Sequence, residues 1–340
     1  MAIIVKGGGG QTIPFDDNYV GTLYIKPDRK NPKNIVSFEA SADLPTEVWN
    51  VGITVNGFLS MLVFSSGEFY TAIGDAEVRK YDSNGNQIAS YTVTGTEGDE
   101  VATGLLKLNT GNIAIANNHY HITIVSPDLS TVISEFYVNG INLAFCQPQI
   151  SLDGNIYIPS AFGKLHKIHN ESFTTITLEN KDTAPSTCCL ADADGNLYIT
   201  LSGKFTKLTP DLTTVWTFTE KNLPTRSMAF DNEGNIIIGS AGGNLYKFSP
   251  DGDVIWNLIC GTGHIYSLFI DDDGNIIAGD TKGFVYKITP YGAICYSTQI
   301  FANDTTKLGL QNNNIYAISS TGIKKLSDAG TITHKAVFNY

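Results

Sequence analysis

The sequence predicts an all-β fold, a seven-bladed β-propeller of four-stranded antiparallel blades, preceded by a non-repeating N-terminal β segment. The main observation is a turn followed by an apolar run, as in EGNIII at Gly234, which occurs seven times along the chain. The other copies lie at Gly67, Gly111, Gly154, Gly195 and Gly274 and, without the glycine, near Asn313. Successive copies are 44, 43, 41, 39, 40 and 39 positions apart. A period near 40 residues is typical of propeller blades.

A second element repeats independently of the first. The stretch NLYKFSPDG, residues 244–252, has six counterparts with the same spacing. In most copies a lysine alternates with apolar neighbours, which is the period of two expected of a strand with one solvated face. These lysines are Lys80, Lys167, Lys207, Lys247, Lys287 and Lys325. Two elements that repeat together favour a ring of equivalent units.

Each unit contains four candidate strands. In residues 227–259 they are SMAFDN, NIIIGS, NLYKFSP and DVIWNLI, joined by turns of the kind that tight hairpins require. A single four-stranded sheet cannot bury both of its faces, so the blades must stack against one another. We therefore assign residues 58–340 to the propeller and residues 1–57 to an N-terminal arm with a small β segment. The arm contains two candidate strands, YVGTLYI and NIVSFEAS.

The repeat resembles that of a known family. GNLYKFSPDGDVIW and, one blade earlier, KFTKLTPDLTTVW are similar to the quinoprotein-type (PQQ-like) propeller repeat, which has Gly-x-Leu-Tyr, a Pro-Asp-Gly turn and a strand carrying Trp. Trp216 and Trp256 match that tryptophan, and Ile133, Ile176 and Tyr296 stand near the same place in other blades. The chain lacks the Trp-Asp dipeptide of the Trp-Asp repeat family. The resemblance implies the fold only, because propellers support many unrelated functions.

Composition argues against two classes of partner. The net charge is −11, so the chain lacks the basic surface on which nucleic-acid binding depends. The basic cluster in KPDRKNPKN, residues 26–34, is interpreted as a solvated loop. No apolar run approaches the roughly 18 residues of a membrane helix, so we expect no membrane insertion. The start MAIIVKGGGGQ lacks the apolar core of a signal peptide, so we expect synthesis in the cytoplasm without export.

Two acidic turns could suggest calcium. Asp192–Asn196 and Asp271–Asn275 resemble the beginning of an EF-hand loop. Such a loop needs a bidentate glutamate at its twelfth position, where counting from Asp192 reaches Gly203. Type I turns require Asp and Gly at these places in any case. We therefore interpret both segments as turns.

Histidines and cysteines give no recognisable site pattern. His119 and His121 could share a strand face as metal ligands, and His166 and His169 lie near a strand end. No carboxylate or cysteine joins either pair at a ligand spacing, so polar strand positions are the favoured interpretation. The five cysteines are expected to be buried, reduced thiols, namely Cys146, Cys188, Cys189, Cys260 and Cys295. We predict no catalytic residue, no metal site and no cofactor.

The N-terminal leader carries a second resemblance. MAIIVKGGGG is similar to the Gly-rich leader of some tail proteins of phages and phage-tail-like particles that infect Gram-positive bacteria. The resemblance implies that the leader fixes the protein in a virion while the propeller faces outward. The residues expected to anchor are Ile3, Ile4 and Val5, with Gly7, Gly8, Gly9 and Gly10 allowing close backbone approach.

The leading functional hypothesis is a non-catalytic structural or binding protein of a phage particle, in its tail, baseplate or decoration. Its partners would be other virion proteins, through the arm, and a host-surface glycan or protein, through the propeller. Two alternatives remain open. One is a lyase or hydrolase with its site in the central funnel of the propeller. The other is an intracellular protein-interaction scaffold located in the cytoplasm.

Overall fold

The computed structural model describes residues 36–53, 60–72, 76–93, 102–117, 121–137, 151, 153, 155–160, 164–169, 172–177, 188–201, 204–219, 225–302, 304, 307–312, 314–327 and 333–338. The leader residues Ile3 to Gly10 and the candidate strand YVGTLYI lie outside these ranges, as do His119 and Cys146. Within the described part, no helix is long and apolar enough to cross a lipid bilayer.

Seven antiparallel sheets form the blades of a propeller, which confirms the predicted fold class. Two strands precede the first blade, β1 (Val36–Ser41) and β2 (Thr46–Gly52). From the inner to the outer strand, blades one to three are β3 (Ser60–Val63), β4 (Phe69–Ala72), β5 (Glu77–Tyr81), β6 (Gln87–Thr92); β7 (Ala102–Lys107), β8 (Ile113–Asn117), β9 (His121–Val125), β10 (Val132–Tyr137); and β11 (Ile156–Ser160), β12 (Lys164–His169), β13 (Ser172–Thr177).

Blades four to six follow the same order. They are β14 (Cys189–Ala191), β15 (Leu197–Leu201), β16 (Lys204–Leu208), β17 (Thr214–Thr219); β18 (Thr225–Phe230), β19 (Ile236–Ser240), β20 (Asn244–Phe248), β21 (Val254–Ile259); and β22 (Ile265–Ile270), β23 (Ile276–Asp280), β24 (Phe284–Ile288), β25 (Ile294–Gln299). The seventh blade contains β26 (Lys307–Gln311), β27 (Asn314–Ile318) and β28 (Gly322–Ser327), and the last strand of the chain is β29 (Thr333–Phe338). A 3-10 turn, Ala241–Gly243, joins β19 to β20.

The seventh blade is completed by the N-terminal strand β2. It pairs antiparallel with β28, and Trp49 lies opposite Lys325. The sequence predicts that residues 1–57 lie outside the blades. In the structure, however, Thr46–Gly52 form the outer strand of blade seven. Closing a ring with a strand from the other end of the chain removes two free sheet edges at once.

The strands β1 and β29 form a separate two-stranded sheet, with Val36 opposite Phe338. The candidate strand NIVSFEAS is therefore confirmed as β1. Immediately after it, the Ala42 backbone N–H donates to the carbonyl oxygen of Cys295 in β25, 3.4 Å away. Ala42 also packs against the apolar cluster that contains Tyr296 and Phe301. The N-terminal region thus lies along the outer edge of blade six.

The hydrophobic core lies between neighbouring blades. The cluster shared by blades four and five, for example, contains Tyr198, Phe205, Met228 and Phe248, all almost inaccessible to solvent. Because each sheet buries both faces against its neighbours, inner and middle strands are apolar on both sides. The outer strands alternate between exposed and partly buried residues.

Candidate functional site

In blades four and five, the repeated lysine and tryptophan connect the blade to the next one. Lys247 Nζ and Trp256 Nε1 both donate to the carbonyl oxygen of Pro290, at 3.2 and 3.1 Å, in the last turn of the following blade. Lys207 and Trp216 bond Pro250 in the same way, each at 3.1 Å. These contacts give the repeated residues a structural role at the blade junctions.

A buried ion pair belongs to the same junction. Lys247 Nζ lies 2.7 Å from Asp231 Oδ2, and both side chains are 5% exposed. Asp231 also accepts hydrogen bonds from the backbone and side chain of Asn235. Burial raises the pKa of Asp231, but the hydrogen bonds from Lys247 and Asn235 and the Lys247 charge outweigh this, so its pKa lies below the ordinary value.

The acidic turns adopt turn geometry. Asp192 accepts from the backbone and side chain of Asn196, and Asp271 accepts in the same way from Asn275. Lys287 Nζ lies 3.4 Å from Asp271 Oδ2. Both carboxylates therefore bond within their own turns. Among the residues that the structure describes, no three His, Cys, Asp or Glu side chains are grouped to hold a metal ion.

The described histidines do not converge. His166 is buried with its Nδ1 3.0 Å from Thr175 Oγ1, and His169 Nδ1 lies 2.6 Å from Asn155 Oδ1. Three positions apart on β12, these two histidines point to opposite faces of the strand. In blade two, the His121 backbone N–H donates to Asn117 Oδ1 of the neighbouring strand. The positions of His166 and His169 fit polar strand residues.

A buried carboxylate lies at the opposite end of blade six from the acidic turns. Asp280 accepts hydrogen bonds from the Lys282 and Phe284 backbone N–H groups and from the Tyr286 hydroxyl. Gly261 and Gly263 pass so closely over it that a methyl group on either would overlap Tyr286 or Asp280. Three hydrogen-bond donors therefore surround this carboxylate. The loop that contains Gly261 and Gly263 leaves no space for a ligand beside it. We therefore assign Asp280 a structural role.

The described cysteines are reduced. Cys188, Cys189 and Cys295 are buried, Cys260 is partly buried, and none of these four forms a disulfide. Burial, followed by the nearby charge of Asp280, raises the pKa of the Cys260 thiol to about 12. Burial also raises the pKa of Cys189. Only the thiolate is nucleophilic, so these groups are poor nucleophiles at neutral pH.

We expect Cys260 to react with a disulfide reagent such as DTNB at pH 8 roughly 10³-fold more slowly in the folded chain than in urea. The reason is that a pKa about 3 to 4 units above that of a free thiol reduces the thiolate fraction accordingly. Mass spectrometry of the labelled peptides checks this. Rapid stoichiometric labelling of Cys260 in the folded protein would contradict the assignment.

The exposed apolar side chains are concentrated on the outer rim. Each outer strand except β13 contains a β-bulge, in which one extra residue of the outer strand has no pairing partner on the neighbouring strand. In five blades that extra residue is an exposed aliphatic side chain: Val48, Ile88, Ile133, Val215 and Ile255. In blade six the extra residue is Cys295, which is buried and whose carbonyl oxygen accepts a hydrogen bond from Ala42. The rim is therefore the strongest candidate interaction surface.

The sequence pattern alone does not point to this rim. It named the leader residues Ile3, Ile4 and Val5 and Gly7 to Gly10, which lie outside the described residues, so that expectation stays a prediction. The register confirms Tyr296 at the tryptophan position, opposite Lys287. It places Ser134 rather than Ile133, and Thr174 rather than Ile176, at that position. The connecting turn is one residue longer in blade two than in blade five, where Lys247 pairs with Trp256, and it is shorter in blade three, so the repeat alone does not show these positions.

No protein-family model and no curated protein matches this sequence. Among solved structures, the chain is similar to virginiamycin B lyase from Staphylococcus aureus, with 12% identity, a TM-score of 0.69 and coverage of 86% of this chain and 99% of that chain. What the two share at this identity is the fold. This chain is a seven-bladed β-propeller.

Two further propellers give the same result. A streptogramin B lyase structure has 13% identity and a TM-score of 0.69, covering 85% of this chain and 97% of that chain. The WD40 β-propeller domain of Doa1 has 12% identity and a TM-score of 0.68, with coverage of 85% and 97%. The neighbours thus include both enzymes and a WD40 domain, so the propeller alone does not select a function.

Proposed function

We propose that this chain is a non-catalytic structural or binding protein of a phage particle, attached through its N-terminal leader, with the propeller as the head that contacts a host surface or another protein. The observation that carries the proposal is the position of β1. The Ala42–Cys295 hydrogen bond holds the N-terminal region against the rim of blade six. A leader that precedes Val36 would therefore be attached at the side of the ring.

The chemistry of the rim supports an assembly role. Exposed aliphatic residues recur around the ring, one at the bulge of five different outer strands. An outer strand whose edge is unpaired offers its backbone N–H and C=O groups to another chain, and exposed aliphatic side chains favour such pairing. The leader resemblance to phage tail proteins supplies the setting, a virion, in which such contacts would form.

Replacing Ile4 with Asp should leave the propeller folded and reduce incorporation into particles at least tenfold. A charge within the short apolar stretch Ile3–Val5 would have to be buried on docking, which is costly without a partner of opposite charge. Particle fractions purified by density gradient and probed for the protein measure this. Gln11→Ala serves as the control, because Gln11 lies beyond the apolar stretch and the glycines. Normal incorporation of Ile4→Asp would refute anchoring by the leader.

An enzyme remains the alternative, on one observation: two of the structural neighbours are streptogramin-type lyases whose folds overlap most of this chain. Incubation with virginiamycin B, followed by chromatography and mass spectrometry for a reaction product, tests that alternative. Turnover would favour the enzyme over the virion component. A protein-interaction scaffold, like a WD40 propeller in fold, instead predicts a stable protein partner that still binds after the leader is removed.

A further inference from the structure

We propose that the outer edge of blade five, strand β21, binds the leader stretch Ala2–Lys6 of a second copy of this chain by strand addition. The inference rests on the proposed function in one respect, since it takes the leader as the attachment element. It adds the identity of one partner, another copy of the same chain, and the surface that receives it.

Strand β21 has the composition of an edge that pairs. It is the last strand of its sheet, and within the described residues no other strand pairs with its outer side. Its sequence, VIWNLI, contains no charged residue. Val254 and Ile255 are exposed, and Ile259 is 69% exposed. An apolar edge without charge or proline is a template for another strand.

Blade six supplies a precedent in the same chain. Cys295 and Ile255 occupy equivalent bulge positions, each beside the residue that pairs with the junction lysine. At Cys295 the carbonyl oxygen accepts a hydrogen bond from Ala42, and the side chain is covered. A single backbone hydrogen bond therefore ties the residue that follows β1 to the rim at this bulge, while β1 itself pairs with β29. In blade five the equivalent residue, Ile255, is exposed.

The leader matches this edge in shape and charge. Ala2–Lys6 is AIIVK, with three consecutive β-branched residues that favour a strand. Its one charged side chain is Lys6, and the first acidic residue after it is Asp16. The turn that enters β21 contains the exposed carboxylates Asp251 and Asp253. The charges on the leader and beside the edge are therefore opposite.

The connecting segment is long enough to reach another copy. Residues 7–35 separate the leader from β1. Fully extended, 29 residues span at most about 100 Å, which exceeds the width of a propeller. A leader that binds the rim of the next copy makes a heterologous contact, and such contacts propagate into rings or filaments. That property is what a component of a repeating particle needs, so we assign the contact to a second copy.

Sedimentation velocity of the full chain over about 1–100 μM tests the inference. We expect an average mass that rises with concentration. Ile4→Asp, in the leader, and Ile259→Lys, on the rim, should each weaken self-association at least tenfold. Asn232→Lys is the matched control, because Asn232 is exposed in the first turn of the same blade, away from its outer strand. It should associate like the wild type.

Mixing the two disrupted variants gives the sharper result. Ile4→Asp retains an intact rim, and Ile259→Lys retains an intact leader, so together they should form a one-to-one heterodimer and nothing larger. Each variant alone should stay monomeric. Circular dichroism and thermal unfolding verify that the variants fold. Asn257→Lys, at another exposed position of β21, should reproduce the effect of Ile259→Lys.

Three outcomes would overturn the inference: a wild-type chain that is monomeric throughout, self-association that survives Ile259→Lys and Asn257→Lys, or no heterodimer in the mixture. A monomeric wild type whose leader is protected from proteolysis would assign the leader to its own ring. The proposed function fails separately. If Ile4→Asp loses self-association but enters particles normally, the rim contact is supported and anchoring by the leader is refuted. If Ile259→Lys associates normally while Ile4→Asp is excluded from particles, anchoring is supported and the rim contact is refuted.

Discussion

Replacing Asp231 with Asn should lower the free energy of unfolding by about 3–5 kcal/mol. The substitution keeps the size of the side chain but leaves Lys247 buried without its counter-charge, since both members of the pair are 5% exposed. Lys247 still donates to the Pro290 carbonyl oxygen, so the hydrogen bond to the next blade remains. The loss therefore reports on the buried charge. Urea unfolding followed by tryptophan fluorescence measures it.

The same lysine position in blade one provides the matched control. Lys80 Nζ lies 3.2 Å from Glu68 Oε1, but the glutamate is 37% exposed and the lysine 13%, so water reaches this pair far more than the one in blade five. Glu68→Gln should therefore cost no more than about 1 kcal/mol. The double variant Asp231→Asn, Lys247→Met should recover much of the lost stability, because it removes the unpaired charge. Equal losses for Asp231→Asn and Glu68→Gln would show that burial of the pair is unimportant.

The cost of Asp231→Asn should also depend on pH. The pKa of Asp231 is lower in the folded chain than its ordinary value, because Lys247 and Asn235 outweigh the effect of burial. Its contribution is therefore complete above the ordinary aspartate value, about 3.9, and is lost as the pH falls through the lower folded-state pKa. The stability difference between wild type and variant should hold from pH 7 to about pH 5 and shrink below pH 4.

Features that depend on local chemistry could be predicted from the sequence. The Asp-x-x-Gly-Asn turns at Asp231 and Asp271 are hydrogen-bonded within five residues, so their sequence determines their shape. The lysines that alternate with apolar residues contact turns: Lys247 binds the Pro290 carbonyl oxygen of the next blade, and Lys287 lies beside Asp271 of its own blade. Because these signals recur every 40 residues or so, the number of blades and the order of strands followed from them.

Long-range pairing could not be predicted in the same way. Counting strands assigns THKAVF, residues 333–338, to the outer position of blade seven, but this stretch pairs with β1, and β2 takes the outer position. A signal was present, since Trp49 stands to Lys325 as Trp256 stands to Lys247. The exposure of Ile255 and Ile259 was also hidden, because an apolar strand has the same pattern whether its outer edge is covered or open.

Trp216→Ala and Gly252→Leu should each destabilise the chain, whereas the double variant should cost clearly less than their sum. Gly252 lies in the last turn of blade five with φ +94°, and a Cβ there would lie 2.8 Å from the Trp216 ring. Leucine at this position should overlap the indole, at about 1–3 kcal/mol for overpacking plus about 1–2 kcal/mol for the left-handed backbone. Trp216→Ala should cost about 3 kcal/mol through the cavity that it leaves.

The expected compensation is based on the other blades. In two blades that follow an outer strand without a tryptophan, the equivalent turn residue is a leucine with positive φ: Leu129 at 64° and Leu212 at 66°. Leu129 is buried in a cluster against which Ala89, the residue at the tryptophan position, packs. At one junction Trp216 thus packs against Gly252, and at another Ala89 packs against the cluster that contains Leu129. The double variant converts the first arrangement into the second.

A third substitution separates backbone strain from contact with the ring. Gly234 has φ +81°, and no atom lies within 4 Å of the position that a Cβ would take. Gly234→Leu should therefore show the backbone cost alone, about 1–2 kcal/mol. Gly252→Leu should exceed it in the wild type and fall to about the same value once Trp216 is alanine. A coupling energy of about 0.5–3 kcal/mol is expected for residues in contact. Strict additivity would mean that the two junction arrangements are not interchangeable, and that each blade pair is packed for its own residues.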